Sequence, residues 1–171
     1  MRQIIVINQA FLNFVETFRN PSEAEIEQLL RRVQTIAVVG LSPKIRRPSY
    51  QVAAQMQAFG YRIIPVRPAV ESVLGEKAFA ALMDVPEKID LVDVFRAPEH
   101  VDALVEECLA LRGRTDTAGL AMQPYPWALW LQDGVVNEAA ARRAREAGMT
   151  VVMNRCIYRD YLRFFGPSRR S

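Results

Sequence analysis

Short apolar segments alternate with helical segments along this chain, and the alternation limits its fold more than any other feature. Five segments are apolar and short enough to be strands, at residues 35–40, 62–66, 89–95, 127–131 and 150–153. Runs of this kind are typical of strands buried on both faces of a parallel sheet. Pro65 lies inside the second run, where it cannot donate to a sheet ladder.

Helical segments separate the predicted strands. The first begins at Ser22, with Glu25 three residues later, a capping box that satisfies the free amides of a helix start. The other predicted helices span residues 49–59, 78–83, 98–111 and 137–147. Because right-handed crossovers place helices on both faces of a parallel sheet, the predicted fold is α/β: a doubly wound, mainly parallel five-stranded sheet with helices on both faces.

The 171 residues are enough for one domain. We predict an N-terminal extension at residues 1–20, one domain at residues 21–161, and a basic C-terminal tail at residues 162–171 with three arginines and no acid. The connection at residues 113–126 is long for a helix-to-strand loop and is interpreted as a variable loop or a lid.

Composition excludes several classes of function. The formal charge of +3, from 22 basic and 19 acidic residues, is too small for a nucleic-acid-binding surface. Two cysteines cannot form a disulfide framework, and no Cys/His set has metal-ligand spacing. The apolar run at residues 4–7 is too short for a signal peptide or a membrane span. We therefore expect a cytoplasmic protein without a membrane or metal partner.

Ligands of open parallel sheets bind at the carboxyl ends of the strands. The residues expected there lie in the loops that follow the strands: Gly40, Ser42, Pro43, Lys44, Arg46, Arg47 and Ser49, then Arg67 and Pro68, then Phe95 and Arg96, then Gln132, Asp133 and Gly134. The first of these loops runs into a helix start, where free amides and the helix dipole favour an anion. A phosphate ligand therefore explains why three cations occur within residues 44–47.

The sequence lacks the fingerprint of an NAD site. Only Gly40 is present of the Gly-x-Gly-x-x-Gly pattern, and the second strand is followed by Arg67 instead of an acid that would bind the ribose hydroxyls. A cation at Arg67 suits a phosphate on the adenosine ribose. This leaves NADP and coenzyme A, which carries both a pyrophosphate and a ribose 3′-phosphate.

Several motifs in order resemble those of the stand-alone CoA-binding proteins of bacteria and archaea, which are related to the N-terminal CoA-binding domain of the succinyl-CoA synthetase alpha subunit. The resemblance covers about residues 22–161, and its motifs are IAVVGLSP at 36–43, RPSY at 47–50, GYRIIPV at 60–66, GEK at 75–77, VDVFR at 92–96, WLQ at 130–132, GVVNE at 134–138 and MNRC at 153–156. It implies a Rossmann-like domain that binds CoA.

The resemblance also implies roles for individual residues. The phosphate-side loop is matched by Gly40, Ser42, Pro43 and the stretch from Arg47 to Tyr50, the adenosine side by Val66, Arg67 and Pro68, and the pantetheine side by Phe95, Arg96 and residues 131–134. Two positions depart from the family pattern. Arg67 replaces a usual Asn and is expected to strengthen a phosphate contact, whereas Asp133 replaces an apolar residue and is expected to weaken binding.

The sequence contains no catalytic constellation. The single histidine, His100, is interpreted as a surface residue, and Asp90 and Asp93 are interpreted as structural. Cys108 lies on an apolar helix face and is predicted to be core. Cys156 follows Arg155, a cation that lowers thiol pKa values when it is near, and one hypothesis is a mixed disulfide between Cys156 and the CoA thiol.

Three functional hypotheses follow. The first is a non-catalytic protein that binds CoA or an acyl-CoA. The second is an NADP-dependent oxidoreductase that uses the same site. The third is a regulatory module whose CoA site reports to a protein partner through residues 1–20 or 113–126. The sequence leaves open whether the ligand is free CoA or a thioester, and whether the chain forms a homo-oligomer.

Overall fold

The computed structural model describes residues 17–113 and 125–168. Within these ranges, a parallel sheet has the strand order β2-β1-β5-β6-β7, and a separate two-stranded antiparallel ribbon pairs β3 with β4. The strands are β1 (Thr35–Val39), β2 (Arg62–Val66), β3 (Ser72–Val73), β4 (Glu76–Lys77), β5 (Leu91–Val94), β6 (Ala128–Leu131) and β7 (Thr150–Met153). The predicted doubly wound α/β fold is confirmed.

Five helices of the described residues cover the two faces of the sheet: α1 (Glu23–Arg32), α2 (Pro48–Ala58), α3 (Val101–Arg112), α4 (Glu138–Glu146) and α5 (Ile157–Phe165). Helices α1, α2 and α5 pack on the face that includes Ile36 and Trp130. Helices α3 and α4 pack on the opposite face, which includes Ala37 and Leu129. Since both faces are covered, successive residues of each central strand are buried, which explains their continuous apolar runs.

Pro65 is compatible with β2 because β2 is an edge strand. The carbonyl of Pro65 accepts from the amide of Phe79 at 3.0 Å, on the side of β2 away from β1. In a strand, the nitrogen and carbonyl of one residue point to the same side, so the missing N–H of Pro65 costs no bond to β1.

The helix predicted at residues 78–83 is wrong. Phe79 instead forms a parallel bridge with Val66 and extends the edge of the sheet, and only a 3₁₀ turn follows at Leu82–Asp84. Its amide bonds to Pro65 and its carbonyl accepts from the amide of Arg67 at 2.8 Å. These tertiary bonds outweigh the helix propensity of an alanine-rich segment.

Two elements were not predicted from the sequence. The ribbon of β3 and β4 turns at Leu74 and Gly75, which both have positive φ, and leucine is an unusual residue for such a turn. Helix α5 crosses the predicted domain end at residue 161, where Tyr161 is fully buried and stacks on Phe59 with ring centroids 4.1 Å apart.

The end of the predicted N-terminal extension joins the sheet. The Asn20 side chain donates to the carbonyl of Met153 at 2.9 Å and accepts from its amide at 2.7 Å. Residues 1–16, most of the predicted loop at 113–126, and residues 169–171 lie outside the described residues. No helix in the described ranges is both long and apolar enough to cross a bilayer.

Candidate functional site

A cavity of about 940 Å³ lies at the carboxyl ends of the parallel strands. Its lining extends from the loop after β2 to the loop after β7. Twelve of the residues expected from the sequence line it: Gly40, Ser42, Pro43, Lys44, Arg47, Ser49, Arg67, Pro68, Phe95, Arg96, Gln132 and Asp133. Pro48, which lies in the predicted phosphate-side stretch from Arg47 to Tyr50, also lines it. Sequence reasoning missed four further lining residues, Val52, Ala69, Val70 and Val135, and did not include Cys156 in the predicted site.

Four expected residues do not line the cavity. Val66 is buried in the core between the sheet and α3, and Tyr50 is half-buried against the other face. Arg46 is exposed in the loop before α2. Gly134 lies in a turn with φ +76°, where its amide donates to Oδ1 of Asn154 at 2.8 Å. A residue that belongs to one of the sequence motifs thus lies near the strand ends, but its side chain does not necessarily point into the cavity.

Gly40 closes β1 in a conformation that only glycine fits. Its φ is +85°, and a Cβ atom there would lie 2.3 Å from the carbonyl oxygen of Phe95. The Gly40 amide also donates to the carbonyl of Val66 at 2.9 Å. The loops after β1 and β5 are therefore in direct contact where they line the cavity.

Two serines fold the loop between β1 and α2. The amide of Ser42 donates to Oγ of Ser49 at 3.1 Å, and the amide of Lys44 donates to Oγ of Ser42 at 3.2 Å. Ser42 and Ser49 are both buried. This brings the basic part of the loop close to the first turn of α2.

The start of α2 has Pro48 at its first position but neither a side-chain cap bond from its N-cap residue, Arg47, nor an acidic residue in its first turn. In contrast, α1 has a complete capping box at Ser22, and α4 is capped by Asn137. Cations at a helix N-terminus oppose the dipole unless an anion lies between them and the helix. The α2 terminus is therefore suited to an anionic ligand.

The cations that line the cavity have no ion-pair partner among the residues that the structure describes. These are Lys44, Arg47, Arg67 and Arg96. Arg67 makes one long contact, from Nη1 to the carbonyl of Gly40 at 3.4 Å. Elsewhere, arginines such as Arg62, Arg143 and Arg155 are paired with carboxylates. Four cations without an ion-pair partner among the described residues therefore line one ligand-sized cavity.

Asp133 does not carry free negative charge. Its carboxylate pairs with Nη2 of Arg159 on α5 at 2.7 Å. The sequence suggested that the negative charge of Asp133 would weaken the binding of an anionic ligand. In the structure, the positive charge of Arg159 offsets the charge of the Asp133 carboxylate. The sequence did not reveal the pair, since α5 was not predicted.

Asp93 and Gln132 form a buried pair below the cavity. Nε2 of Gln132 donates to Oδ1 of Asp93 at 2.7 Å, and the two residues are 4% and 1% exposed, respectively. Burial raises the pKa of the Asp93 carboxyl to about 7, against the opposing effect of hydrogen bonds from Gln132 and the Val94 amide. The interpretation of Asp93 as structural did not anticipate that its buried carboxyl contacts a residue of the cavity lining.

Cys156 lines the cavity at the N-cap of α5. The guanidinium of its neighbour Arg155 is held by Asp160 at 2.7 Å and by Glu23 at 2.9 Å, so the sequence argument for activation of Cys156 by that cation loses its basis. Cys108 is fully buried, as predicted, and burial raises the pKa of its thiol to about 12. His100 is exposed in the 3₁₀ turn before α3 and does not line the cavity.

The fold and the site together define a Rossmann-like α/β domain whose cavity presents unpaired cations at the carboxyl ends of its strands. A model of the CoA binding domain matches residues 34–161. The chain belongs to this family.

Known proteins show how far the similarity extends. The Bacillus subtilis (strain 168) "Uncharacterized protein YneT" is 42% identical over 139 residues, which cover 81% of this chain and 93% of that protein. An acetate–CoA ligase [ADP-forming] I of Archaeoglobus fulgidus is 27% identical over 50% of this chain, which is 12% of the ligase. The structure of a hypothetical protein from Pyrococcus horikoshii OT3 has a TM-score of 0.75 and 32% identity, with coverage of 88% of this chain and 99% of that one.

Proposed function

We propose that the protein binds coenzyme A or an acyl-CoA in this cavity without transforming it. The observation that carries the proposal is the distribution of charge along the cavity. Its unpaired cations lie after β1, β2 and β5, whereas its lining after β6 and β7 consists of Val135, Gln132, Cys156 and a neutralised Asp133. A ligand that fits this distribution is anionic at one end and neutral at the other.

The cationic end suits the phosphates of CoA. Lys44 and Arg47 stand at the start of α2, which has no side-chain cap bond, and the positive end of the helix dipole favours a pyrophosphate there. Arg67 follows β2, the outermost strand, and is placed for a phosphate on the adenosine ribose. Nη1 of Arg67 lies 3.4 Å from the carbonyl oxygen of Gly40, whose backbone packs against the carbonyl of Phe95.

The neutral end suits pantetheine. From β2 to β7 the sheet crosses four strand spacings of about 4.8 Å, so the strand ends under the cavity span about 19 Å. A compact phosphate ligand would leave most of this length unused, while an extended ligand with an amide-containing arm would fill it. The family's ligases are named for CoA, which agrees with this assignment.

The non-catalytic part of the proposal rests on the chemistry of the lining. The only histidine of the chain, His100, does not line the cavity, and the cavity serines donate or accept within their own loop. The side chains that remain bind and orient a ligand. An NADP-dependent oxidoreductase would need a proton donor beside the nicotinamide; Asp93 lies behind Gln132, which leaves the thiol of Cys156 as the donor for such a reaction to use at that end of the described lining.

Calorimetry with three ligands tests the proposal. We expect CoA to bind at least tenfold more tightly than 3′-dephospho-CoA, because the latter lacks the ribose phosphate that would pair with Arg67, and we expect NADPH to bind more weakly than CoA. The variant Arg67→Gln is expected to bind CoA and 3′-dephospho-CoA equally, while Arg46→Gln, a cation outside the lining, keeps the preference. Tighter binding of NADPH than of CoA would instead support the oxidoreductase.

Cys156 gives a covalent test of where the sulfur end lies. On incubation with CoA disulfide, the thiolate of Cys156 attacks one sulfur, a new S–S bond forms, and one CoA thiolate leaves, so no further oxidant is needed. We expect a mass increase of one CoA on the intact protein that Cys156→Ser loses and Cys108→Ser keeps. An adduct that persists in Cys156→Ser would place the sulfur elsewhere.

A further inference from the structure

Buried polar side chains gather under one part of the molecule. Ser42, Ser49 and Gln132 line the cavity, and Asp93 lies directly behind Gln132. Burying a carboxyl costs free energy unless its bonds are satisfied, and an apolar residue would fill a strand position at lower cost. Asp93 is therefore placed to act on Gln132, the cavity residue to which it is hydrogen-bonded.

The contact fixes the direction of the Gln132 carboxamide. Since Nε2 donates to Oδ1 of Asp93, the opposite end of the amide, Oε1, is left for the cavity. Oε1 accepts hydrogen bonds and cannot donate them. Gln132 follows β6 and Cys156 follows β7, so this acceptor lies at the neutral end of the cavity, away from the cations after β1 and β2.

Charged groups on the neighbouring elements do not compensate Asp93. In the register of the sheet, Asp93 lies between Val38 and Trp130, which are both apolar neighbours. The titratable and charged groups around the cavity are Lys44 and Arg47 before α2, Arg67 after β2, Arg96 after β5, Asp133 after β6, and Cys156 before α5. The groups that bond to Asp93 are neutral donors, the Gln132 amide and the Val94 amide.

We infer that Gln132, oriented by Asp93, distinguishes a free thiol from a thioester at the end of the bound ligand. The inference rests on the proposed function and assigns a specificity-determining residue within the same cavity. Gln132 is the residue that meets the ligand, and Asp93 is the positioning residue behind it.

The two protonation states of Asp93 present different atoms to the ligand. The carboxylate accepts from Nε2 and leaves Oε1 toward the cavity, where it accepts from a thiol S–H and repels a thioester carbonyl. The carboxylic acid donates to Oε1 once the amide has turned, so that an N–H of Gln132 faces the cavity and donates to a thioester carbonyl. Because burial raises the pKa of Asp93 to about 7, both states are accessible near neutral pH.

Calorimetric titrations of the full chain with CoA, acetyl-CoA and S-ethyl-CoA at pH 5.5 and 8.0 test the inference. S-ethyl-CoA has nearly the size of acetyl-CoA but lacks the carbonyl, so the ratio of the two affinities reports on the carbonyl alone. We expect acetyl-CoA to gain about tenfold over S-ethyl-CoA when the pH falls from 8.0 to 5.5. Asp93→Asn, which is neutral at both values, should abolish the pH dependence, and Asp102→Asn, an exposed acid on α3, should keep it.

Gln132→Met is the second variant and should bind acetyl-CoA and S-ethyl-CoA alike at both pH values, which tests the inference even if Asp93→Asn does not fold. Binding of all three ligands with a ratio that is independent of pH in the wild type would overturn the inference and leave the proposed function intact. A pH dependence that persists in Asp93→Asn or Gln132→Met would also overturn it. Failure of the wild type to bind any of the three would overturn both.

Discussion

The two ends of the cavity are built by different means. At the β1 and β2 end, exposed loop cations stand without partners, and the backbone itself, at Gly40 and the start of α2, provides the rest of the surface. At the β6 and β7 end, charge is either paired, as in Asp133 with Arg159, or buried, as in Asp93 with Gln132. The unpaired cations of the β1 and β2 end can attract an anionic ligand at a distance, whereas the neutral side chains of the β6 and β7 end interact with a ligand only on contact. This division matches a ligand with a charged end and a neutral reactive end.

The largest effect is expected at Gly40, which brings the loops after β1 and β5 together through its contact with Phe95. The variant Gly40→Ala should lose on the order of 4 kcal/mol of unfolding free energy, because it combines a positive φ with a clash against backbone. Gly134→Ala is the matched control: its φ is +76°, but nothing lies within 4 Å of the added methyl. Urea denaturation should show a loss of only about 1 kcal/mol there. Equal losses would contradict the role of the close approach.

The next largest effect is expected from the buried acid Asp93. The coupling between proton binding and folding sets the sign of its effect on the unfolding free energy. The pKa of Asp93 is raised from 3.8 to about 7 on folding, so the folded state binds the proton more tightly, and its contribution to stability is lost as the pH rises through 7. Asp93→Asn removes this titration. Its unfolding free energy should therefore improve relative to the wild type by about 3 kcal/mol between pH 5 and pH 9.

Asp102 on α3 supplies a control of opposite sign. Hydrogen bonds from Asn137 and Arg143 lower the pKa of this exposed carboxyl, so its contribution is present above its unfolded pKa and is lost as the pH falls. The stability of Asp102→Asn relative to the wild type should improve toward acid pH. Parallel pH profiles for the two variants would show that Asp93 is not the buried titrating group.

The cationic end was more accessible to sequence reasoning than the neutral end. Lys44, Arg47 and Arg67 stand in loops whose positions follow from the strands, so charge and topology were sufficient to find them. Asp93 and Gln132 are 39 residues apart, and their contact exists only once β5 and β6 are paired in register. Local sequence patterns therefore could not predict the contact between Asp93 and Gln132.

Helix α5 shows a different kind of omission. Ile157, Tyr161 and Phe165 recur at intervals of four residues, which is a helical pattern, but the predicted domain ended at residue 161 and the basic segment from residue 162 was interpreted as a tail. The segment at 78–83 shows the converse, since its alanines favour a helix and its contacts with β2 do not allow one. In both cases the deciding interaction is with another part of the chain.

A moderate effect is expected from the cations. Arg47→Gln should weaken CoA binding about tenfold, which corresponds to about 1.4 kcal/mol, because the ligand loses a charge-assisted bond at the start of α2. Arg46→Gln is the matched control, since Arg46 has the same charge one residue earlier and does not line the cavity. Its affinity should change less than threefold. Titrations in 50 mM and 500 mM salt should show a smaller salt dependence for Arg47→Gln than for Arg46→Gln.

The smallest effect is expected from the ion pair between Asp133 and Arg159, which is proposed to keep the β6 and β7 end of the cavity neutral. Asp133 and Arg159 are both exposed, so their pairing contributes little to stability. Arg159→Gln should nevertheless weaken CoA binding about twofold, since it leaves the Asp133 carboxylate uncompensated at the cavity. The double variant Arg159→Gln with Asp133→Asn should restore the wild-type affinity, which a loss of contacts from Arg159 itself would not allow. If the double variant binds as weakly as Arg159→Gln, the arginine acts directly on the ligand, and the cationic surface extends further toward β7 than the division of the cavity assumes.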